Sequence, residues 1–319
     1  MNTPSPVKLT LVIASVILCW AFSPTGVHMG LHSYNPGQLA LLRFLIASVF
    51  MGGVALVMGI GRPCLRDVPW LLVLGFFGVF LHHMSLNAGQ QWVTAAASSV
   101  LAQSAPLFSV LIASFCLKER VSAWRWSCVL VGLLGVLVVM WGDQGVGDID
   151  PHGLLILLAA FSWSVYFAVQ KHYAHRYSPL TMACYMVWSG TLMLGVNLPG
   201  LPAAVAQAPL ADNLAVLALG IFPSALAYLA WGYVLKHVEV SRATVAMYLI
   251  PPVAMVIAAT LLGEHIALQV VLGGVIVLAS VAAISLERRW RSVVQAERTQ
   301  AVTVGVLGDE SVAKVHSGR

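Results

Sequence analysis

The sequence predicts an all-α integral membrane protein of ten transmembrane helices, arranged as two inverted repeats of five. An apolar composition, a one-sided placement of basic residues and a weak internal repeat carry that prediction. Hydrophobic residues fill 59% of the 319 positions and charged residues only 9%, with a mean hydropathy of +0.87. A soluble domain carries about 25% charged residues. So little charge does not cover a water-facing surface, so lipid must be part of the solvent. A formal charge of +5 and a pI near 9.1 would suit nucleic acid only if a basic patch stood beside stacking aromatics. None does, and nucleic acid is excluded as a partner.

Each crossing needs about 20 mostly apolar residues. The segments 9–29, 36–60, 68–88, 92–117, 122–141, 152–173, 179–199, 212–235, 242–262 and 266–286 satisfy this, separated by Gly, Pro, Asn and charge. Lys and Arg test the count, because they concentrate in cytoplasmic loops. With the N-terminus inside, 16 of the 17 basic residues fall in cytoplasmic segments or the tail; the exception, Arg43, lies within a span. An error of one helix would scramble that alternation. Both termini are therefore expected in the cytoplasm. The first apolar segment resembles a signal peptide, with Ala21-Phe22-Ser23 as a cleavage site, but Pro24 directly after it disfavours cleavage. It is read as the first helix, since it has a partner in the second repeat.

At an offset of 143, Trp20 meets Trp163 and Asn35-Pro36 meets Ser178-Pro179. At 145, Gly75 meets Gly220, Pro106 meets Pro251 and Glu119 meets Glu264. The shift of two falls in a loop, where insertions are tolerated. Five helices per repeat is odd, so the second copy enters from the opposite face. The repeats occupy residues 1–143 and 144–287, followed by a tail, 288–319, whose mixed charge and few large apolar residues read as disordered. Inverted repeats are a transporter architecture, with the solute site near the bilayer midplane between the halves.

The run from Ala95-Ala96-Ala97-Ser98-Ser99-Val100-Leu101 through Ala105-Pro106 to Leu117-Lys118-Glu119-Arg120-Val121, followed by Gly132 and Gly135, resembles the EamA repeat. Its second copy runs from Ala243-Thr244-Val245 through Pro251-Pro252 to Leu262-Gly263-Glu264-His265, followed by Gly273-Gly274. Asn35-Pro36 to Leu41-Leu42-Arg43-Phe44 is similar to the second helix of that repeat. The resemblance covers residues 9–287 and is to the drug/metabolite transporter superfamily, EamA branch. It implies an exporter of amino acids or other small metabolites in a bacterial cytoplasmic membrane. One departure is Met186 where the first repeat has Arg43.

Several side chains are candidates for the site. Pro106 and Pro251 match between repeats, and a mid-helix proline frees backbone carbonyls that need a partner or a wet cavity. Paired interruptions point to a transport site, although proline also merely bends membrane helices. Arg43 lies about 10 Å below the outer end of its helix at 1.5 Å per residue. A charge there is functional by default, with snorkelling to the interface as the alternative. An anionic solute group or helix-end carbonyls are its expected partners. Glu119 and Glu264 close the fourth and ninth helices, where the dipole of the next helix favours a carboxylate. That structural role is preferred to proton coupling.

Ser99, Gln103 and Pro106 share one face of the fourth helix, and Tyr248 leads into Pro251. Of the adjacent His82 and His83, one is expected to point away; a proton relay and an interhelical hydrogen bond both remain open. Trp20, Trp163, Trp231, Tyr166 and Tyr228 lie away from the helix ends, unlike the belt residues Trp92, Trp124, Trp126 and Trp141. They either floor a solute pocket or fill the core. The five scattered cysteines lack ligand or CxxC spacing. No metal or other cofactor is expected, and no Walker loop, nucleophile elbow or carboxylate pair suggests an enzyme. The expected activity is secondary transport of a small solute by alternating access. An uptake carrier and a membrane-embedded sensor are the alternatives; proton coupling and the choice between monomer and homodimer stay open.

Overall fold

Without water to satisfy backbone groups, an apolar chain crosses lipid as helices with their bonds internal. The computed structural model describes residues 5–116, 118, 121–142, 150–173, 176–238 and 246–287. Among these, nine helices are long and apolar enough to cross a membrane: α1 Val7–Leu31, α2 Pro36–Met58, α3 Leu65–Gly89, α4 Ala95–Phe115, α5 Ala123–Gly142, α6 Gly153–Lys171, α7 Pro179–Asn197, α8 Leu210–Val234 and α10 Leu268–Glu287. The remaining crossing, α9, is the shorter apolar helix Met247–Leu261. A two-turn helix, Leu201–Gln207, was not anticipated between α7 and α8. Its three alanines favour helix, but it is far too short to span. Glu119, the loop aspartates Asp143 and Asp148, and the tail 288–319 lie outside the described residues.

The two repeats interleave instead of standing side by side. Helix α1 packs on α8 and α9, α2 on α7 and α8, α3 on α6 and α7, and α4 on α6 and α9. Helices α5 and α10 are joined by Arg125, whose Nε donates to Glu287 at 2.8 Å. One buried cluster, with Phe44, Met51, Leu74 and Met186, fills the space among α2, α3, α7 and α8. Another, with Leu101, Leu107, Val136 and Val277, lies among α4, α5 and α10.

Repeat-related residues start equivalent helices in the same way. Asn35 accepts the Gln38 backbone N–H at 2.8 Å, and Ser178 accepts that of Thr181 at 3.2 Å. Proline follows each cap at the first helical position, where its missing N–H breaks no bond. Glu264 does serve a helix N-terminus, but one from the other repeat. Its carboxylate accepts the backbone N–H groups of Ala95 (2.8 Å) and Ala96 (3.1 Å) at the start of α4. Trp92, Trp124 and Trp141 are each more than half exposed, as belt residues should be.

Candidate functional site

Four departures from regular α-helix, in two repeat-related pairs, set the position of the site. Helix α3 passes through a π-helical segment at Phe76–Leu81 and α8 through one at Phe222–Leu226. Helix α4 breaks between Ala102 and Ala105, and α9 opens with a 3-10 turn at Met247–Leu249. Pro106 and Pro251 fall in the first turn after each break, so the interruption precedes the proline instead of centring on it. π segments recur at functional sites because they displace the regular hydrogen-bond ladder.

Side chains from both repeats converge between the π segments. Trp20 of α1 donates its indole N–H to the carbonyl of Pro223 at 3.2 Å, inside the α8 segment. Its ring centroid lies 6.0 Å from Tyr228 and 5.7 Å from Trp231. Trp163 of α6, the repeat partner of Trp20, lies 6.3 Å from Tyr228 and 4.9 Å from Tyr166. The same indole is 4.8 Å from His82, whose Nδ1 is 2.8 Å from the Ala159 carbonyl. His82 and His83 meet edge to face at 4.7 Å, and His83 rests 4.5 Å from Phe44. Both histidines therefore belong to this group, against the expectation that one would point away.

Arg43 closes the cluster on the α2 side. It is 3% exposed, so it does not snorkel to the interface. Its Nε donates to Ser224 Oγ within the α8 π segment, and its Cζ lies 5.5 Å from the Phe44 ring centroid. His82, His83 and Tyr228 stand within electrostatic reach of the guanidinium. Arg43 Nη1 and both ring nitrogens of His83 are buried without a hydrogen-bond partner. Among the described residues Arg43 makes no ion pair. A buried charge left unpaired is strongly unfavourable, and an anionic group would satisfy it.

Gln103 and Tyr248 take no part in the ring contacts and hydrogen bonds just described. Both stand at their helix breaks, Gln103 half-buried beside the gap in α4. Tyr248 turns toward α10, where its hydroxyl meets Ser285 Oγ at 2.6 Å and the Val281 carbonyl at 3.3 Å. A groove of about 410 Å³ beside the helix Leu201–Gln207 is lined by Ser33, Gly200, Ala203, Ala204, Gln207 and Ala208. It lacks aromatic and charged lining and lies beside a short helix between two spans, so the convergence between the π segments is the stronger candidate. Sequence reasoning did not single out Ser224 and Phe44; nothing in hydropathy marks either.

The EamA-like transporter family matches the chain twice, over residues 8–141 and 152–286. The chain belongs to that family. The uncharacterized transporter YdfC of Bacillus subtilis (strain 168) is 34% identical, covering 86% of this chain and 90% of its own. A "Probable terminal-alkyne amino-acid exporter" of Streptantibioticus cattleyicolor is 32% identical, covering 86% of this chain and 92% of its own. A "Probable amino-acid metabolite efflux pump" of Salmonella typhimurium (strain LT2) is 27% identical, over 83% and 90%. The protein is a multi-pass membrane transporter of small molecules and not an enzyme.

Proposed function

We propose that the protein is a secondary exporter of amino acids or closely related metabolites, working by alternating access to a midplane site between its repeats. The observation that carries this is the buried, unpaired Nη1 of Arg43 beside the Trp20, Tyr228, Trp231 and Trp163 rings. A planar guanidinium suits a carboxylate, held through two parallel hydrogen bonds. The rings offer flat apolar surface to the rest of the solute, with edge-to-face and stacked contacts available. Trp20, Arg43, His82, Trp163, Tyr228 and Trp231 are the proposed solute contacts. Gln103 and Tyr248, with Pro106 and Pro251, lie where α4 and α9 are interrupted and are assigned to the edges of the path, where bending opens it.

The relatives whose names mention amino-acid export support this choice of solute. Inverted repeats support the mechanism, because one packing seen from either side of the membrane gives inward- and outward-open states of similar energy. We place the protein in a bacterial cytoplasmic membrane with both termini inside, the repeats dividing near residue 143 and the tail 288–319 beyond them. Flux measured in proteoliposomes across a panel of amino acids, with and without a proton gradient, tests the reading. Saturable movement of at least one amino acid is expected. Binding without flux would instead make the protein a membrane-embedded sensor. Reporter fusions after residues 144 and 291 should fall on opposite sides of the membrane; agreement between them would end the ten-crossing orientation.

A further inference from the structure

Away from the midplane, two polar clusters occupy repeat-related places at opposite ends of the molecule. At the start of α3, Asp67 accepts hydrogen bonds from Tyr177 Oη (2.7 Å) and from Arg176 Nη1. At the start of α8, Asp212 accepts from Ser33 Oγ, and the neighbouring Asn213 accepts from Tyr34 Oη. Asp212 is the counterpart of Asp67 at the offset of 145, while Tyr34 and Ser33 are the counterparts of Tyr177 and Arg176 at 143. A buried aspartate and a nearby tyrosine thus recur in both repeats, although Tyr177 donates to Asp67 itself and Tyr34 to Asn213, and among the described residues only Asp67 of the two aspartates has an ion pair. Both carboxylates are buried, Asp67 to 5% exposure and Asp212 to 8%.

Below each cluster, the same half-helix is held a second time by close backbone approach. A Cβ placed on Gly75 would fall 2.5 Å from the Gly190 nitrogen of α7, and one on Gly220 would fall 2.9 Å from the Arg43 carbonyl of α2. Gly75 directly precedes its π segment, and only Ile221 separates Gly220 from the other. The halves of α3 and α8 before the π segments are therefore fastened twice, to α7 and α2 respectively. The halves beyond carry His82, His83, Tyr228 and Trp231.

We infer that Asp67 with Arg176 and Tyr177, and Asp212 with Asn213, Ser33 and Tyr34, are paired positioning clusters that stay closed throughout the transport cycle. They pin the N-terminal halves of α3 and α8, so that conformational change is confined to the halves beyond the π segments. This differs from a pair of gates, which would open in turn. Both clusters are closed in one and the same structure, and neither half-helix has room to slide past its partner backbone.

The inference goes beyond the proposed function and is tested in two independent ways. First, a cysteine-free background carrying Arg66→Cys with Ser178→Cys, or His32→Cys with Leu210→Cys, is cross-linked with bifunctional thiol reagents of graded length. Amino-acid flux in proteoliposomes should survive closure of either end. Loss of flux on closure, reversed by a cleavable reagent, would make that cluster a gate and overturn the inference. Second, hydrogen exchange of the whole protein in nanodiscs needs no solute. Asp67→Asn should raise exchange about tenfold in residues 65–75, and Asp212→Asn in 210–220, as expected for loss of a hydrogen bond to a charged group. The segments after 81 and 226 should change less. Unchanged exchange in the N-terminal halves would overturn the pinning role even if the protein moved no amino acid at all.

Discussion

The two repeats agree in backbone and differ in the side chains that face the midplane. Each has a π segment in its third helix, a break before the proline of its fourth, and a tryptophan in its first. Where the first repeat places Arg43, however, the second places the fully buried Met186, which lies against Gly78 and Tyr166. Where the first places His83, the second has Tyr228. The shared features are interruptions of the helix backbone. The features that differ are those that would recognise a solute. A symmetric scaffold supplies two equivalent conformations, whereas an asymmetric lining gives one orientation to what is bound.

The largest expected effect separates the counterparts Arg43 and Met186. Arg43→Ala should abolish flux and Arg43→Lys should restore only part of it, because lysine lacks the planar fork. Met186→Ala should leave turnover per folded molecule intact while lowering stability by about 2–5 kcal/mol through the void it leaves. Near-normal flux in Arg43→Ala would reduce the arginine to a structural bridge between α2 and Ser224.

The next contrast sets Gly75 against Gly220. Gly75→Ala meets backbone on α7, which does not yield, and should destabilise the fold by about 1–3 kcal/mol. Gly220→Ala meets the Ile46 Cβ at 2.6 Å and the Arg43 carbonyl at 2.9 Å, the nearest backbone being farther than the 2.5 Å between a Gly75 Cβ and the Gly190 nitrogen, so a somewhat smaller loss in thermal denaturation is expected. Equal losses would show that both close contacts are equally rigid.

The paired tryptophans give a smaller difference. Trp20→Phe removes the N–H donated to the Pro223 carbonyl and should lower stability by about 0.5–1.5 kcal/mol more than Trp163→Phe. Both should raise the half-saturation concentration if the rings contact solute.

The smallest effect concerns pH. The hydrogen bond to Asp67 raises the Tyr177 phenol above its ordinary value, and burial followed by the charge of Asp212 raises that of Tyr34. Each contribution is fully present below the unfolded phenol value of about 10 and is lost as pH rises through the folded value. These groups should leave the melting temperature unchanged between about pH 7 and 9 and lower it at still higher pH. Tyr177→Phe should remove its share of that fall, and a flat profile in the unmutated protein would deny the linkage.

The sequence made some of this legible because depth and pairing are written in it. Trp20 and Trp163 were recognisable as deep, repeat-matched rings, and Arg43 as a charge within an apolar run. The facing of side chains around a helix axis was less legible. Tyr248 has the expected depth, yet contacts with Ser285 and Val281 turn it toward α10. Pro223 has no proline mate in the first repeat, because its counterpart there is a π segment built without proline. Such segments need no signature residue, and Phe76–Leu81 is as apolar as the α-helical turns of Val68–Gly75 before it. Ser224 matters only because that segment aims it at Arg43.

A π segment also fixes angular phase. It holds one residue more than an α-helix needs to cover the same arc, and each residue of an α-helix turns the chain by about 100°. Rewinding Phe76–Leu81 as regular α-helix with all its residues kept would swing His82 and His83 by about that angle, away from Trp163 and Phe44, whereas deleting one residue would leave them in phase. The same holds for Phe222–Leu226 with Tyr228 and Trp231. Composition and hydropathy would scarcely change, and the span would still be long enough to cross. In such a molecule, the winding of six residues is as much a specificity element as any side chain, because a change in it re-aims the residues beyond without replacing one of them.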